Sequence, residues 1–388
     1  MNINRILAIG PKSKKSKGIT GGLSVMFDGF VDKATALGID VKVVNILQRW
    51  NSSSFWVRSV DISLNFVILF GILLKSVILT KKIDICYLTS SLSANGVMRD
   101  YVIVKMLKLF HIPVVAHQFG ATTDHFSPAK SKIGDNKFNW LVSYFSHIIV
   151  EGDLMRRQFD GAPVKDDGIT VLPNGLPELG RNALKPKESP HGTFNLFWLS
   201  NLIFTKGWYD VLEAINILVN KYKLDVKCTF AGKFMPFKDD PVPMIYDEAF
   251  FFNYIKEHGL GDSIVYFPAL FGEKKDKAWL ESNVFLLPSY YVNEGQPVSI
   301  LEALSYGCIP IVTNYRHIPM MVNDSNGCFV EPKSPEQIAE AVRFLIENPV
   351  VYCQKSRICI EDFEKHFVYE NYSNKIFAIL NECCDYSK

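Results

Sequence analysis

The sequence predicts an α/β protein built from two units, each with its own parallel β-sheet. Short apolar runs of strand length alternate with longer helix-like segments along both halves of the chain. A polar segment rich in proline and glycine, residues 178–193, separates the halves, and the alternation restarts at Phe194. A chain of 388 residues is long enough for two domains of ordinary size.

The order of the predicted elements indicates parallel pairing with right-handed crossovers, because strand and helix alternate at short spacing. In the first half, strands are predicted at 3–9, 41–44, 83–88, 112–116, 148–150 and 169–172, with helices ending near 37 and spanning 62–79 and 94–110. In the second half, strands are predicted at 194–199, 226–231, 264–267, 284–287 and 308–313, with helices at 206–220, 246–258, 334–346, 349–364 and 368–384.

Composition limits the classes of function. The chain is 48% hydrophobic and 21% charged, which is typical of a globular protein. Its net charge of +2 argues against a dedicated nucleic-acid binder. Residues 1–100 nevertheless hold 13 Lys and Arg against 6 Asp and Glu. This basic first quarter fits contact with an anionic membrane face, and an ordinary solvated surface fits it equally well.

The cysteines and the N-terminus predict a cytoplasmic protein. The 8 cysteines include no C-x-x-C pair, and several lie in apolar segments as small core residues. The N-terminus shows no secretory-signal pattern, so we expect a reducing compartment, with the inner face of the membrane as a place of peripheral contact. The apolar stretch 64–79 is interrupted by Asn65, Lys75 and Ser76, which favours a core helix over one that grazes the membrane.

The most informative stretch lies between two carboxylates, Glu294 and Glu302. A strand-like run precedes it and another follows it, so the order is strand, loop, helix, strand. Gly295 and Pro297 lie where the helix should start, and the free amides of a first helical turn bind anions. One carboxylate precedes those amides, and the other lies about two turns further along. This arrangement suits a ligand with hydroxyl groups at both ends and phosphates between them, such as a sugar nucleotide.

This run, Glu-x7-Glu with Gly-Gln-Pro-Val-Ser after the first Glu, resembles the retaining glycosyltransferases of family 4. The resemblance implies the GT-B architecture, in which two Rossmann-type domains face an interdomain cleft. It implies an acceptor-binding domain at 1–178 and a nucleotide-sugar-binding domain at 193–366. It also implies that the last helix, 367–388, packs back on the first domain.

The resemblance assigns donor contacts in the second half. Lys206, in a Lys-Gly pair, would bind the donor phosphates, whereas Ser200 or Asn201 occupies the position of the family's usual Arg. Asn201 would then donate a neutral hydrogen bond. Glu294 would bind the sugar hydroxyls, and Glu302 would accept the two ribose hydroxyls. The donor-binding residues expected here are Asn201, Lys206, Gly295, Gln296, Pro297, Val298 and Glu302.

In the first half the resemblance implies two further contacts. Gly21 and Gly22, after the first strand, would border the diphosphate, although an ordinary turn explains a Gly-Gly pair as well. His117 ends a strand and would lie near the donor sugar, since ligands of α/β proteins gather at the carboxyl ends of strands. A satisfied buried histidine is the alternative. The nearby Lys12, Lys14, Lys15 and Lys17 suit a phosphorylated lipid acceptor or a solvated loop.

Together these features predict a retaining, metal-independent hexosyltransferase with Glu294, Lys206 and His117 as catalytic residues. No Asp-x-Asp pair lies in a suitable loop, so no metal or other cofactor is expected, and the donor is a UDP-, GDP- or other nucleotide sugar. The acceptor would be a glycan or lipid-linked glycan of a bacterial capsule, O-antigen or exopolysaccharide. A sugar-nucleotide 2-epimerase and a non-catalytic glycosyltransferase-like subunit are the alternatives.

Overall fold

A computed structural model describes residues 3–13, 22–46, 55–79, 81–91, 93–120, 135–165, 167–177, 183–235 and 247–385. The chain divides into two compact units. The first consists of Met1–Pro177 together with Tyr369–Lys388, and the second is Glu178–Val368. The second unit is therefore inserted, in sequence, between two pieces of the first.

Each unit is built on a six-stranded sheet whose strand pairs are all parallel. The first sheet has the order β2-β1-β3-β4-β5-β6 and the second the order β12-β11-β10-β7-β8-β9. The strands are β1 (Arg5–Gly10), β2 (Asp40–Asn45), β3 (Ile85–Ser90), β4 (Val114–Gln118), β5 (His147–Val150), β6 (Ile169–Val171), β7 (Phe194–Leu199), β8 (Val226–Ala231), β9 (Ile264–Phe267), β10 (Val284–Leu287), β11 (Ile309–Thr313) and β12 (Cys328–Val330).

Helices connect the strands, as crossovers between parallel strands require. They are α1 (Gly22–Ala36), α2 (Phe55–Ile78), α3 (Ala94–Leu109), α4 (Asp135–Tyr144), α5 (Asp153–Arg156), α6 (Trp208–Asn216), α7 (Glu248–Glu257), α8 (Gly272–Glu281), α9 (Val298–Ser305), α10 (Pro335–Glu347), α11 (Pro349–His366) and α12 (Tyr369–Asp385). The sequence predicted neither α4 nor α8, and β12 was too short to recognise.

Both sheets reverse their direction of growth once, and this fixes where a site is expected. In the first sheet the chain passes from β1 to β2 and then to β3 on the other side of β1. In the second it runs outward from β7 through β8 and β9, and then returns to β10 on the other side of β7. Open α/β sheets bind ligands at such switch points, beyond the carboxyl ends of the strands.

The two faces of the first sheet have different partners. Alternate strand residues such as Leu7, Cys86 and Val114 share one buried cluster with apolar residues of α2, α3 and α4. The opposite face carries Tyr87, whose ring stacks on Phe30 of α1 with centroids 3.7 Å apart. Phe30 in turn stacks on Phe377 of α12 at 5.5 Å, so the last helix completes this side of the first unit.

The expectation that residues 64–79 form a core helix is wrong. The stretch Val60–Ile78 of α2 is long enough and apolar enough to cross a membrane, with a mean hydropathy of 1.9, yet only 17% of it is buried. Leu69 and Leu73 point into the core, and most of the other apolar side chains are exposed. Composition alone did not reveal this, because it does not say how many faces of an apolar helix are covered.

Candidate functional site

The loops that follow β7 and β10 bring Lys206 and Glu294 together at the switch point of the second sheet. Lys206 Nζ donates to Glu294 Oε1 at 3.2 Å, across a separation of 88 residues in sequence. The loops are also joined through their backbones, since the Tyr290 N–H donates to the Thr205 carbonyl at 2.8 Å. The predicted phosphate-binding cation and the predicted sugar-binding carboxylate are therefore direct neighbours.

The backbone conformation after Lys206 requires a glycine at position 207. The predicted helix at 206–220 is interrupted: Phe204–Lys206 forms a 3₁₀ turn, Gly207 adopts a φ of 83°, and α6 begins at Trp208. A Cβ atom at Gly207 would lie 2.5 Å from the Pro288 carbonyl oxygen. Glycine is required both by the positive φ and by the close approach of the two loops.

Glu294 is held from its second oxygen as well. Ser289 Oγ donates to Glu294 Oε2 at 2.5 Å, and both residues are buried. The same hydroxyl accepts from the Tyr291 N–H at 3.2 Å, and Thr313 Oγ1 donates to the Ser289 carbonyl. Sequence reasoning missed Ser289 and Thr313, although both follow or end buried strands at the carboxyl edge where ligands gather.

Lys206 has an aromatic neighbour that the sequence did not predict. Its Nζ lies 5.3 Å from the centroid of the Tyr291 ring. A cation at this distance from a ring face is stabilised electrostatically. The ammonium group is thus positioned by a carboxylate and a ring, both on the β10 loop.

The N-terminus of α9 follows directly. The helix begins at Val298, with Pro297 as its N-cap residue and no side chain capping it among the described residues. Val298 and Ser299 are partly exposed, so the amides of this turn can receive an anion. Gly295 is partly exposed, whereas Gln296 and Pro297 are buried, which leaves backbone rather than these two side chains at the surface.

Glu302 lies further along α9 and is already bonded at both oxygens. Lys275 Nζ donates to Glu302 Oε1 at 2.9 Å, and Trp279 Nε1 donates to Oε2 at 3.1 Å. Both donors are on α8, which the sequence did not predict. Because a carboxylate oxygen accepts more than one hydrogen bond, these contacts orient Glu302 and leave acceptor capacity for a ligand. Its assignment to the ribose stays a prediction.

Asn201 is exposed just beyond the carboxyl end of β7. The turn that presents it packs tightly, since a Cβ atom at Gly232 would lie 1.8 Å from the Ser200 carbonyl oxygen. Leu202 then pairs with the chain after β8, with its N–H donating to the Lys233 carbonyl at 2.8 Å. Asn201 therefore lies at the same edge of the sheet as Lys206, on the neighbouring side of the β7 loop.

Asp210, in the first turn of α6, is a weaker acid than an ordinary aspartate. Its pKa is raised from 3.8 to about 7, chiefly by burial and also by the negative charge of Glu213, while the Lys333 ammonium opposes the shift. Near neutral pH this carboxyl group therefore exists in both protonation states. It follows Lys206 by four positions in the sequence.

His117 lies in the first unit, at the end of β4 and in register with Thr89 of β3. It is fully buried, and its Nδ1 is 2.7 Å from the Tyr87 hydroxyl. Burial lowers its pKa to about 3, so the ring is neutral at physiological pH. A donating Tyr87 hydroxyl places the ring proton on Nε2, which has no hydrogen-bond partner among the described residues.

The structure describes only some of the remaining predicted residues. Gly22 is the exposed first residue of α1, whereas Gly21, Lys14, Lys15 and Lys17 lie outside the described residues. Within the part of the chain that the structure describes, no group of three or more His, Cys, Asp or Glu side chains is placed to hold a metal ion.

A family model matches the region that carries Lys206 and Glu294. Residues 181–366 match the model described as "Glycosyl transferases group 1". This match covers most of the second unit, which is therefore similar to the group 1 glycosyltransferases. The resemblance to family 4 glycosyltransferases that the sequence predicted is thereby confirmed.

A curated relative is known only by its class. An uncharacterized glycosyltransferase of Haemophilus influenzae is 26% identical over 209 residues, which cover 51% of this chain and 52% of that protein. The match therefore spans about half the length of this relative.

Solved glycosyltransferase structures share the fold of the whole chain. A glycosyltransferase from Rickettsia africae has a TM-score of 0.71 at 15% identity, with 99% of each chain covered. Anabaena Alr3699/HepE in complex with UDP has a TM-score of 0.67 at 15% identity, covering 97% of this chain and 100% of that one. With the two parallel six-stranded sheets, these likenesses confirm the predicted GT-B class of fold.

Proposed function

We propose that the protein is a retaining glycosyltransferase that moves a hexose-type unit from a nucleoside diphosphate sugar to an acceptor hydroxyl. One observation carries the proposal. A lysine–glutamate pair lies at the switch point of the second sheet, next to a helix N-terminus that no side chain caps among the described residues. This geometry offers positive charge for a diphosphate and a carboxylate for sugar hydroxyls, within the domain that matches the family model.

The proposed chemistry follows from where charge develops. Breaking the anomeric C–O bond leaves negative charge on the departing diphosphate and oxocarbenium character on the sugar. Lys206 and the first amides of α9 stabilise the diphosphate. Its oxygens compete with Glu294 for the Lys206 ammonium, so donor binding exchanges the ion pair for a phosphate contact and turns Glu294 towards the sugar hydroxyls.

Retention is proposed through attack on the same face from which the diphosphate leaves. The acceptor hydroxyl forms the new bond to the anomeric carbon as the bond to the phosphate oxygen breaks. That phosphate oxygen takes the hydroxyl proton, so charge and atoms balance without a covalent sugar–enzyme intermediate. In this scheme the protein supplies positive charge through Lys206 and helix amides, which supports a reaction that uses neither a metal ion nor another cofactor.

The acceptor is proposed to be a growing bacterial surface glycan, of the capsule, O-antigen or exopolysaccharide kind, on a lipid carrier at the cytoplasmic face of the membrane. The family 4 resemblance supports this choice. The solved Anabaena Alr3699/HepE complex supports UDP as the first nucleotide to test.

The test begins with thermal unfolding in the presence of UDP, GDP, ADP and dTDP, because a ligand that binds only the folded protein raises Tm. Transfer from the matching nucleotide sugar is then followed by NMR at the anomeric centre, with and without EDTA. We expect one nucleotide to raise Tm, the product to keep the donor's anomeric configuration, and turnover to survive chelation. An unchanged Tm with all four nucleotides would contradict the proposed donor class.

Each refinement can fail on its own. An inverted product would overturn retention, and loss of turnover on chelation would overturn metal independence. Isomerisation of the donor in the absence of acceptor would identify a sugar-nucleotide 2-epimerase instead. Nucleotide binding without transfer to any lipid-linked acceptor would identify a non-catalytic subunit.

A further inference from the structure

The outward side of α2 is apolar along its length. We call the exposed residues Val60, Val67, Phe70, Leu74, Val77 and Ile78 the α2 outer face; each is at least 44% exposed. A surface helix of a globular protein normally turns charged and polar residues to the solvent. Contiguous exposed apolar surface of this kind marks a place where another apolar phase or molecule binds.

The polarity of α2 is inverted from one side to the other. Asp61 is buried, Asn65 and Ser76 are half-buried, and Ser76 Oγ donates to the Leu73 carbonyl at 2.6 Å. Among residues 60–79, which the structure describes throughout, Ser63 and Lys75 are the exposed polar ones. The helix therefore directs much of its polar character inward and its apolar character outward, the reverse of a helix selected for contact with water.

A cationic and aromatic surface lies on the same side of the sheet. α3 and α4 share the buried cluster that also contains Leu69 and Leu73 of α2. On their outer side, Lys105 lies 4.8 Å from the Tyr101 ring centroid, and Lys108 lies 5.3 Å from that of Trp140 and 5.6 Å from that of Tyr144. Tyrosine, tryptophan and lysine are the side chains that suit the boundary between lipid headgroups and acyl chains.

The exposed charges on α2 and α3 have one sign among the described side chains. Within residues 60–79 and 95–110 of the described chain, the acidic side chains are Asp61 and Asp100, and both are buried. Five exposed lysines lie on or beside the two helices: Lys75, Lys81, Lys82, Lys105 and Lys108. Asp84, which follows two of them, is half-buried and accepts from the Asn4 and Arg5 N–H groups. A surface with exposed cations and buried carboxylates is complementary to anionic headgroups, and each such lysine near an anionic membrane contributes about 1 kcal/mol to binding.

We propose that the α2 outer face, together with the lysines of α3, docks on an anionic lipid bilayer, with α2 lying in the headgroup–acyl boundary. The helix does not span the bilayer in this proposal, because Leu69 and Leu73 are packed in the core of the first sheet. Spanning would strip both from that core and carry Asp61 into hydrocarbon. The inference deepens the proposed function and rests on it for its purpose, since a lipid-linked acceptor is reached at this boundary.

The experiment is vesicle flotation of the full-length protein with phosphatidylcholine alone or mixed with phosphatidylglycerol. The test variant is Val67→Glu/Phe70→Glu, whose positions are 67% and 51% exposed. The matched control is Phe344→Glu/Val350→Glu on the second unit, at 47% and 79% exposed. We expect the wild type and the control to float with anionic vesicles. The partition coefficient of the test variant should be lower by about tenfold or more, since two apolar side chains no longer enter the membrane.

Four results would overturn the proposal. The first is failure of the wild type to bind anionic vesicles, and the second is equal flotation of the test variant. The third is retention of the wild type on vesicles after alkaline carbonate extraction, which indicates a spanning helix. The fourth is a wild type that is dimeric and binds no vesicles, with a test variant that is monomeric. The last result would identify a second copy of the chain as the occupant.

Nucleotide-induced Tm shifts, measured on the same samples, separate this proposal from the function. We expect the test variant to keep its nucleotide response while losing flotation. A wild type that floats but responds to no nucleotide would leave the docking surface standing and remove the proposed transferase.

Discussion

The predicted site residues at the carboxyl edges of the two sheets differ in chemistry. In the second unit, the edge holds two ion pairs, Lys206–Glu294 and Lys275–Glu302. In the first unit, the predicted site residue is a neutral His117 beside Tyr87, with Thr89 in register on the next strand. Charges are present near this edge too, as the Glu151 carboxylate after β5 and as the Arg99–Asp100 pair, whose carboxylate accepts from the Ser91 N–H after β3. Both sets of site residues are largely buried, so the difference between them is one of charge rather than of depth.

This difference shows how each edge avoids the penalty of desolvation. In the second unit, charged groups persist under partial burial because each carboxylate has a cation and a further donor. In the first unit, burial shifts the pKa of His117 downward, and the ring remains neutral. The edge of the second unit, with the ammonium groups of Lys206 and Lys275, is suited to binding an anion, whereas the His117 ring offers polarity without charge.

The largest effect is expected from removing the cation of the charged edge. Lys206→Met should lower kcat/KM for sugar transfer by about 10²- to 10³-fold, the loss typical of removing one group that stabilises developing negative charge. Lys277→Met is the matched control, because Lys277 forms an exposed pair with Glu281 on α8. Steady-state kinetics with circular dichroism of both variants measures the effect. Equal losses in the two lysine variants would remove the distinction between the charged edge and ordinary surface charge.

Loosening Glu294 without removing its charge should have a smaller effect. Ser289→Ala deletes the hydroxyl that donates to Glu294 Oε2, so the carboxylate loses one anchor while its pair with Lys206 remains. We expect kcat to fall by about 10- to 100-fold with a smaller change in KM, as misplacement of a positioned group predicts. Ser334→Ala, at an exposed hydroxyl before α10, should leave both constants unchanged. A Ser289 variant with wild-type kinetics would mean that Glu294 needs no such support.

Alanine substitutions at Gly207 and Gly10, one at each edge, should lower the free energy of unfolding by different amounts. A Cβ at Gly207 meets the Pro288 backbone oxygen at 2.5 Å with a φ of 83°, whereas one at Gly10 meets the Phe27 ring at 2.2 Å, which is a side chain. Gly207→Ala should lower the free energy of unfolding by about 1–3 kcal/mol through the positive φ alone, with further loss from the clash. Gly192→Ala, where a Cβ meets nothing within 4 Å, is the control.

Urea unfolding of Gly207→Ala, Gly10→Ala and Gly192→Ala measures these differences. Gly10→Ala should lose less stability than Gly207→Ala, because a side chain can shift more easily than a backbone oxygen. We expect the Gly207 variant to lose transfer activity together with stability, because the clash separates the two loops that hold Lys206 and Glu294. A Gly207 variant as stable as the Gly192 variant would contradict the close approach of the loops.

Per pH unit, the smallest expected effects are stability slopes of opposite sign at Asp210 and His117, each at most about 1.4 kcal/mol. The pKa of Asp210 is raised from 3.8 to about 7, so between these values the unfolded chain holds fewer protons than the folded one. Relative to Asp210→Asn, the wild type should therefore lose stability as pH rises from about 4 to about 7, and no more above that.

The pKa of His117 is lowered from 6.5 to about 3, so the unfolded chain binds the extra proton there. Relative to His117→Gln, the wild type should keep its stability above about pH 6.5 and lose it as pH falls towards 3. Denaturation midpoints across a pH series, compared pairwise with each variant, measure both slopes. Parallel slopes for the two pairs would contradict the contrast between the edges.

The sequence predicted the edge of the second unit better than that of the first, for a physical reason. Glu294, Pro297 and Glu302 lie in one contiguous strand–loop–helix unit, so their relation is readable from spacing alone. Lys206 required the family resemblance, because its contact with Glu294 arises only when β7 and β10 pair. In the same way Lys275 and Trp279 were missed, since α8 is polar and its contacts with Glu302 are made across the fold.

Other features were beyond the reach of pattern reading. The exposure of α2 depends on what packs against it, and an apolar helix with one covered side has the same composition as one buried all round. The contacts of Glu151 could not be predicted either. Its carboxylate accepts from Asn174 Nδ2 at 2.6 Å and from the Gly120 N–H at 3.1 Å. These contacts join the segments that follow β4, β5 and β6, and no local sequence pattern indicates them.

The position of α12 has a consequence for biosynthesis. Because Phe377 covers Phe30 and the Lys33 ammonium pairs with Glu370, the first unit acquires its outer layer only after α12 has been made. During translation the inserted unit is complete while the unit that began the chain still exposes aromatic surface on one side of its sheet. Folding from the N-terminal domain onward is the usual order on the ribosome, and here the order of completion is reversed.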